Sequence, residues 1–502
     1  MSLLEAVSNE LKSEKTFTEN LAVAYKTSGE ELLDLNFSMT ALRQKTPEEI
    51  GKMFSKAFYE DPKTAVKFLF YAGDVRGGMG ERKFFRSCME WIAENKPEIA
   101  KAVLGLIPEY TRWDNLIELI SSPLDDDVVE IIYRQLVVDI RNMNNNKPVS
   151  LLGKWMPSEN VSSYATKSKA RLIISRLGWT SKEYRKTLSS LRKYLDVTEV
   201  KMSGKQWSEI NYSTVPSRAN VIYNNAFLRN DEKRRRKYLE DLASKNKDVK
   251  INASVLNPDD IVHKYVWDCR VKEYDEALEQ MWKALSNIQV GDVLVVRDGS
   301  GSMLGGYHTK TVPLDVATAL AIYTSEHNSG EWKDKFITFS SHPELVNFKN
   351  CKTLRDKIEL TYNYSDWSNT DVYRTMKLIL DAAQNAHLRQ DEMPGTILII
   401  SDMQFDGRYM HYDKTLFEDI QSEYEQCGYK LPRICFWNVS GTVNKTIPIQ
   451  QNDLGLILCS SYSVQTLKMM MSGELDPYKV LLEQINSDRY QPVEDAIKDL
   501  VA

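Results

Sequence analysis

Cysteine and histidine are scarce in this sequence, and no long apolar run is present. The six cysteines (Cys88, Cys269, Cys351, Cys427, Cys435 and Cys459) are dispersed, and the nearest two lie eight positions apart. That leaves no CxxC pair, hence no zinc ribbon, no thioredoxin-type site and no disulfide framework. No apolar stretch approaches the roughly 18 residues of a membrane span, Thr396–Ile400 being typical of the longest. The opening MSLLEAVSNELKSEK alternates acids, bases and apolar residues and so does not read as a secretory leader. The six histidines (His263, His308, His327, His342, His387 and His411) form neither HExxH nor HxH. Without a histidine base near a nucleophile the expectation is a non-enzymatic protein, and the dispersed cysteines suggest a reducing, cytoplasmic setting.

What is present is a strong polarity of charge. The net charge of −5 conceals three blocks. Residues 1–150 carry 19 Lys+Arg against 24 Asp+Glu, residues 151–250 carry 22 against 10, and residues 251–502 carry 24 against 36. A +12 block within an acidic chain asks for an anionic partner, nucleic acid first. A solvated helix face is the plainer alternative.

Two textures meet near residue 287. Before it, apolar residues recur at helical spacing: Ala65, Phe68, Leu69 and Ala72 behind the cap Asp61-Pro62, then Phe84, Phe85, Cys88, Trp91 and Ile92. Helices are predicted over 63–71, 83–93, 97–107, 113–120, 125–143, 167–177, 181–194, 216–228, 231–243 and 258–287. So many consecutive helices with short connections suggest a HEAT-like helical-repeat module over residues 1–287. Beyond it, short apolar strands (292–296, 335–339, 396–401, 433–437, 454–458) alternate with helices (312–326, 372–386, 414–426, 464–471, 477–485). That pattern predicts a doubly wound α/β domain over 288–502 with a mostly parallel sheet. The fold class expected is therefore α + α/β.

Directly after the first of these strands comes Asp298-Gly-Ser300-Gly-Ser302. An acid and two hydroxyls at i, i+2 and i+4 in a glycine-containing turn bring three hard oxygens to one point, which suits Mg²⁺ or another divalent cation. Thr370, before a predicted helix, and Asp402, after the strand ending at Ser401, fall at the same edge of a doubly wound sheet. Four carboxylates (Asp366, Asp371, Asp402 and Asp406) would be enough for a second metal and hydrolysis, a weaker reading.

This set resembles the metal-ion-dependent adhesion site of von Willebrand factor A domains. The resemblance implies Asp298, Ser300, Ser302, Thr370 and Asp402 as metal ligands, some of them through water. Two departures stand out: Arg297 where an apolar residue is usual, and Gly299 where Val or Thr is usual. A guanidinium there would weaken cation binding unless it pairs elsewhere, for example with Asp371 or Asp402. Tyr71-Ala-Gly-Asp-Val-Arg-Gly-Gly-Met-Gly-Glu-Arg-Lys83, Val215-Pro-Ser-Arg218 and Cys459-Ser-Ser-Tyr-Ser463 resemble the DUF2828 family, which joins a TROVE-like helical module to an A domain. That module is similar to the helical ring of the Ro ribonucleoprotein. The resemblance implies binding of small structured or misfolded RNA, with a possible ring closed by the A domain.

Basic residues then become candidate RNA contacts. Arg76, Arg82, Lys83 and Arg86 surround the glycine-rich turn Gly77–Gly80, whose amides could hold a phosphate. A tight interhelical turn is the competing explanation. Lys167, Lys169, Arg171, Arg176, Arg185 and Lys186 form a denser stripe with Trp179, Tyr184 and Tyr194 interleaved, followed by Arg218 and Arg229. The reading is a Ro-like, non-catalytic RNA-binding protein with one Mg²⁺ in its A domain, with no membrane partner and no DNA specificity. Its rival is a protein-interaction adaptor whose metal site takes an acidic residue of a partner such as an AAA ATPase.

Overall fold

The computed structural model describes residues 15–17, 23–120, 122–305, 312–340, 342–365, 371–403, 416–440, 456–463, 466–467 and 476–501. Its chain divides into two compact units. One is helical and comprises Pro47–Lys52, Asp61–Val255 and residues from Asn486 onward. The other comprises residues up to Thr46, Met53–Glu60 and Leu256–Ile485, and holds the sheet.

That sheet has six strands in the order Leu456–Ser460, Arg433–Asn438, Thr396–Ser401, Val293–Asp298, Lys335–Phe339 and Leu345–Asn347. The first five run parallel; Leu345–Asn347 adds to the edge antiparallel, pairing Phe336 with Val346. Val293–Asp298 and Thr396–Ser401 are buried at every position. Strands covered on both faces need continuous apolar runs, which VLVV and TILII supply. Val293–Asp298 is flanked by the next strand in sequence on one side and the later Thr396–Ser401 on the other, in the register Val296–Ile337 and Val296–Ile399. The order of strands therefore reverses at its carboxyl end, where such sheets open a crevice.

In the helical unit, local signals set the helix starts. Asp61 caps Pro62–Gly73 by accepting from the Thr64 amide at 3.1 Å, and Pro62 stands at the first helical position. Thr180 and Glu183 form a reciprocal capping box at Ser181–Tyr194. Asp125, Asp126 and Asp127 open the 20-residue helix Asp125–Asn144, as the helix dipole favours.

The packing units depart from a linear division at residue 287. Asn486 onward joins the helical unit through Asp74, which is fully buried. Arg489 donates from Nη2 at 2.8 Å and from Nε, and Tyr490 donates from its hydroxyl at 3.0 Å. Tyr490 also stacks on Tyr110. Conversely, Glu279 receives the Leu354 and Arg355 amides at 2.9 and 3.1 Å, which fixes its helix within the sheet unit. Thr40 donates from its hydroxyl to the Ser440 carbonyl at 2.7 Å in that same unit.

The single helix predicted over 258–287 is a correction. Two helices, Pro258–Tyr265 and Glu276–Lys283, flank a hairpin pairing Val266 with Val271 and Trp267 with Arg270. Asp268 and Cys269 at its tip have φ of 50° and 57°, the paired left-handed conformation of a two-residue hairpin turn. Both favour such a turn less than Asn-Gly does, so the break is not announced by a glycine. Leu345–Asn347 and the helices Glu31–Phe37, Pro47–Glu60, Leu354–Asn363 and Gln491–Ile497 were not among the predicted elements. Of the helix predicted over 464–471, only residues 466–467 are described.

Candidate functional site

Asp298 ends its strand at the reversal point, and its side chain is buried. Its Oδ1 accepts the Ser300 amide at 2.9 Å, and its Oδ2 accepts the Ser401 hydroxyl at 2.6 Å. The hydroxyls of Ser300 and Ser302 lie 3.0 Å apart, so the DGSGS turn does gather its oxygens. Asp402 follows the adjacent strand and is also buried. Burial, then the negative charge of Asp402, pushes the Asp298 carboxyl up to about 7. Two buried carboxylates that disfavour each other's ionisation, with two hydroxyls alongside, fit a hard divalent cation. Among the described residues no three His, Cys, Asp or Glu converge at any point, so a cation here would depend on the serine hydroxyls beside the two carboxylates. Ser302 is exposed whereas Ser300 is buried, so the group opens to one side. Thr370 lies outside the described residues, as do His308, Asp366, Asp406 and His411.

The two departures from the A-domain pattern explain one another. Arg297 is fully buried; its Nη1 donates to the Ser365 hydroxyl at 2.8 Å and the Thr361 carbonyl at 3.4 Å, and its Nη2 to the Thr318 hydroxyl at 3.0 Å. A Cβ at residue 299 would stand 3.0 Å from that same Nη1 and 3.2 Å from the Ser365 backbone. Gly299 is therefore the space that the arginine occupies. Asp371 caps Val372–Asn385 through the Arg374 amide at 2.9 Å and pairs with the Arg374 guanidinium at 3.1 Å.

In the helical unit the glycine-rich turn serves packing. A Cβ at residue 78 would fall 1.9 Å from the Tyr71 carbonyl oxygen. The Met79, Gly80 and Glu81 amides are donated to the carbonyls of Tyr71, Asp74 and Ala72. They are committed to the backbone and form no phosphate cradle. Arg76 donates to the Glu109 carbonyl at 3.0 Å, while Arg82 and Arg86 converge on Asp114.

The stripe is partly neutralised by its own unit. Lys169 meets Glu118, Arg176 meets Asp125 and Asp126, and Arg185 stands 4.0 Å from Glu159. Lys83, Arg171, Lys186, Arg218 and Arg229 are exposed, Lys167 half so. Tyr184 is core, donating to the Pro157 carbonyl at 2.7 Å, and Trp179 is half-buried. Tyr194 is exposed, and so is Tyr164, one turn before Lys167, which the sequence reading missed because it precedes the charged run. Arg112, Asp114 and Trp155 were missed too, since the positions they join are remote in sequence.

A helical unit with surface cations and a parallel-sheet unit with a carboxylate–hydroxyl group at its strand reversal define the class: a two-part α and α/β protein. Two families of unknown function match the chain, DUF2828 over residues 18–110 and 175–294 and DUF7788 over residues 292–498. The uncharacterized protein L728 of Acanthamoeba polyphaga mimivirus is 30% identical over 523 residues, covering 95% of this chain and 88% of that protein. Among solved structures, the RO (RSR) protein of Deinococcus radiodurans is similar at 13% identity, with a TM-score of 0.47 over 86% of this chain and 94% of that one. The chain belongs to the DUF2828 family. No helix among the described residues is long and apolar enough to cross a membrane.

Proposed function

We propose that this protein binds RNA non-catalytically, through the basic surface of its helical unit, and carries one divalent cation, Mg²⁺ by its oxygen ligands, at Asp298, Ser300, Ser302 and Asp402. Thr370 belongs to the same set by resemblance. The observation that carries the reading is the +12 segment 151–250. Beside the cations that Glu118, Asp125, Asp126 and Glu159 hold, Arg171, Lys186 and Arg229 stand exposed on three helices. Cations spread over several elements attract a polyanion, and displacement of its counterions makes the affinity fall with salt. The sequence resemblance to the Ro-type module points the same way. The exposed side of Ser302 favours a second role, in which a partner's carboxylate completes the cation's coordination. An AAA ATPase is the kind of partner that role suits.

The test is charge reversal at Lys167, Lys169 and Arg171 beside Asp298→Asn, with single-stranded and hairpin RNA titrated at several salt concentrations. The reversal is expected to weaken binding at least about tenfold and flatten the salt dependence. Asp298→Asn is expected to abolish Mg²⁺ uptake in calorimetry while leaving RNA affinity within about twofold. Unchanged affinity and slope in the reversal variant overturn the RNA reading.

A further inference from the structure

Asp114 sits at the start of Trp113–Glu118 and serves three guanidinium groups at once. Its Oδ1 accepts from Arg112 Nε at 3.0 Å; its Oδ2 accepts from Arg112 Nη2 at 3.0 Å, Arg86 Nη2 at 2.9 Å and Arg82 Nη2. One turn on, Glu118 accepts from Arg86 Nη1 at 2.9 Å and also holds Lys169. Four cations thus share two carboxylates. Arg218 lies near enough for its charge to act on Arg112.

The groups are held as well as gathered. The Arg112 guanidinium lies over the Trp155 ring, 4.4 Å from its centre, and Arg86 Nε donates to the Asn115 side-chain oxygen at 2.7 Å. Their surroundings bear the strain of like charge. Burial first, then Arg82, holds Arg86 below the usual arginine range. Burial likewise lowers Arg112, with Arg82 and Arg218 acting in the same direction against the pull of Asp114. Access remains: the Arg82 side chain is 49% exposed. Each guanidinium carries five N–H donors in a planar fork, and the two carboxylates use only a minority of them.

We propose that this cluster, Arg82, Arg86 and Arg112 fixed on Asp114 and Trp155, is the seat of an RNA backbone phosphate. A phosphodiester brings the third negative charge that the cluster lacks, and its non-bridging oxygens match the fork of a guanidinium. The seat rests on the RNA-binding reading and assigns it an anchor point. It lies on Arg82 and Arg86, as the sequence suggested, but its third arm is Arg112 and it uses no glycine-turn amide.

The experiment compares Arg112→Gln, Arg82→Gln and the surface variant Lys101→Gln, whose ion pair is with Asp127 and not with the cluster, in the full chain. A fluorescent single-stranded RNA is titrated at several salt concentrations, and each variant's melting curve is checked. Arg112→Gln and Arg82→Gln are expected to bind about tenfold more weakly and to lower the salt slope by about 0.7 for each phosphate no longer neutralised. Lys101→Gln should match the unaltered protein. Because Arg82 is half-exposed, its variant reports on binding even if Arg112→Gln fails to fold. Full RNA affinity and slope in folded Arg82→Gln and Arg112→Gln overturn the seat and leave RNA binding standing. An unaltered protein that binds no RNA overturns both.

Discussion

Among the described residues each unit buries one arginine completely, and the two are solvated by opposite means. Arg235, in the helical unit, lies among aromatic rings: the centres of Tyr212, Phe227 and Tyr238 are 5.0, 5.3 and 5.3 Å from its guanidinium carbon. The side-chain oxygens of Asn224 and Asn220 accept from it at 3.0 and 3.3 Å. Arg297, in the sheet unit, is cradled by the hydroxyls of Ser365 and Thr318 and a carbonyl. A buried cation needs its hydration replaced, and ring faces or oxygen dipoles both do it. What differs is the neighbourhood. Arg235 ties Ser217–Asn230 to Glu232–Ala243, two consecutive helices, so its charge acts on the fold. Arg297 stands one residue from Asp298, so its charge also reaches the candidate cation.

The comparison breaks most visibly at Arg235. Arg235→Met strips the donors from Asn220 and Asn224 and the cation from three rings, and is expected to cost about 3 kcal/mol, read by chemical denaturation. An effect under about 1 kcal/mol would make the cage incidental. Gly299→Val comes next, at about 2 kcal/mol, because the added methyls press on Arg297 Nη1 and the Ser365 backbone. Adding Arg297→Met should recover at least half of that penalty, and additive penalties in this double-mutant cycle would disprove the pairing. By itself Arg297→Met removes a positive charge beside the carboxylates, so Mg²⁺ affinity by calorimetry should rise about tenfold.

The smallest effect concerns a charged pair left half in water. His263 Nδ1 lies 2.7 Å from Asp315 Oδ2, and Tyr362 donates to the other oxygen of Asp315. The Asp315 hydrogen bond raises the His263 pKa above its ordinary value, against partial burial. The folded state therefore prefers the protonated ring. Its contribution to stability is complete below the unfolded histidine pKa and disappears as pH rises through the higher folded value. His263→Gln should flatten the stability profile over that window, and an unchanged profile would leave the pair without energetic weight.

What the sequence reveals follows how local each cause is. The DGSGS turn was legible because its oxygens come from one pentapeptide, and Asp402 because it follows a fully apolar strand. Arg297 and Gly299 were legible as oddities, but their connection runs through Thr318 and Ser365, which only the fold brings near. Helix starts at Pro62 and Ser181 were written in their caps. The break at Asp268-Cys269 was not, since neither residue usually marks a left-handed turn. The cluster on Asp114 was hidden for a third reason: positions 82, 86, 112 and 169 share no pattern until their helices are packed.

The Asp74–Arg489 pair sets a schedule as well as a structure. The two residues are 415 positions apart, so during synthesis at about 5–20 residues per second the carboxylate waits roughly 20–80 s for its partner. Throughout that interval the helical unit holds a site for a buried acid with no counter-ion, and its first helices stay in a provisional state while the sheet unit is being made. A ribosome-bound chain halted before Arg489 should therefore be open to proteases in Pro62–Gly73, and should become resistant only when that last stretch emerges.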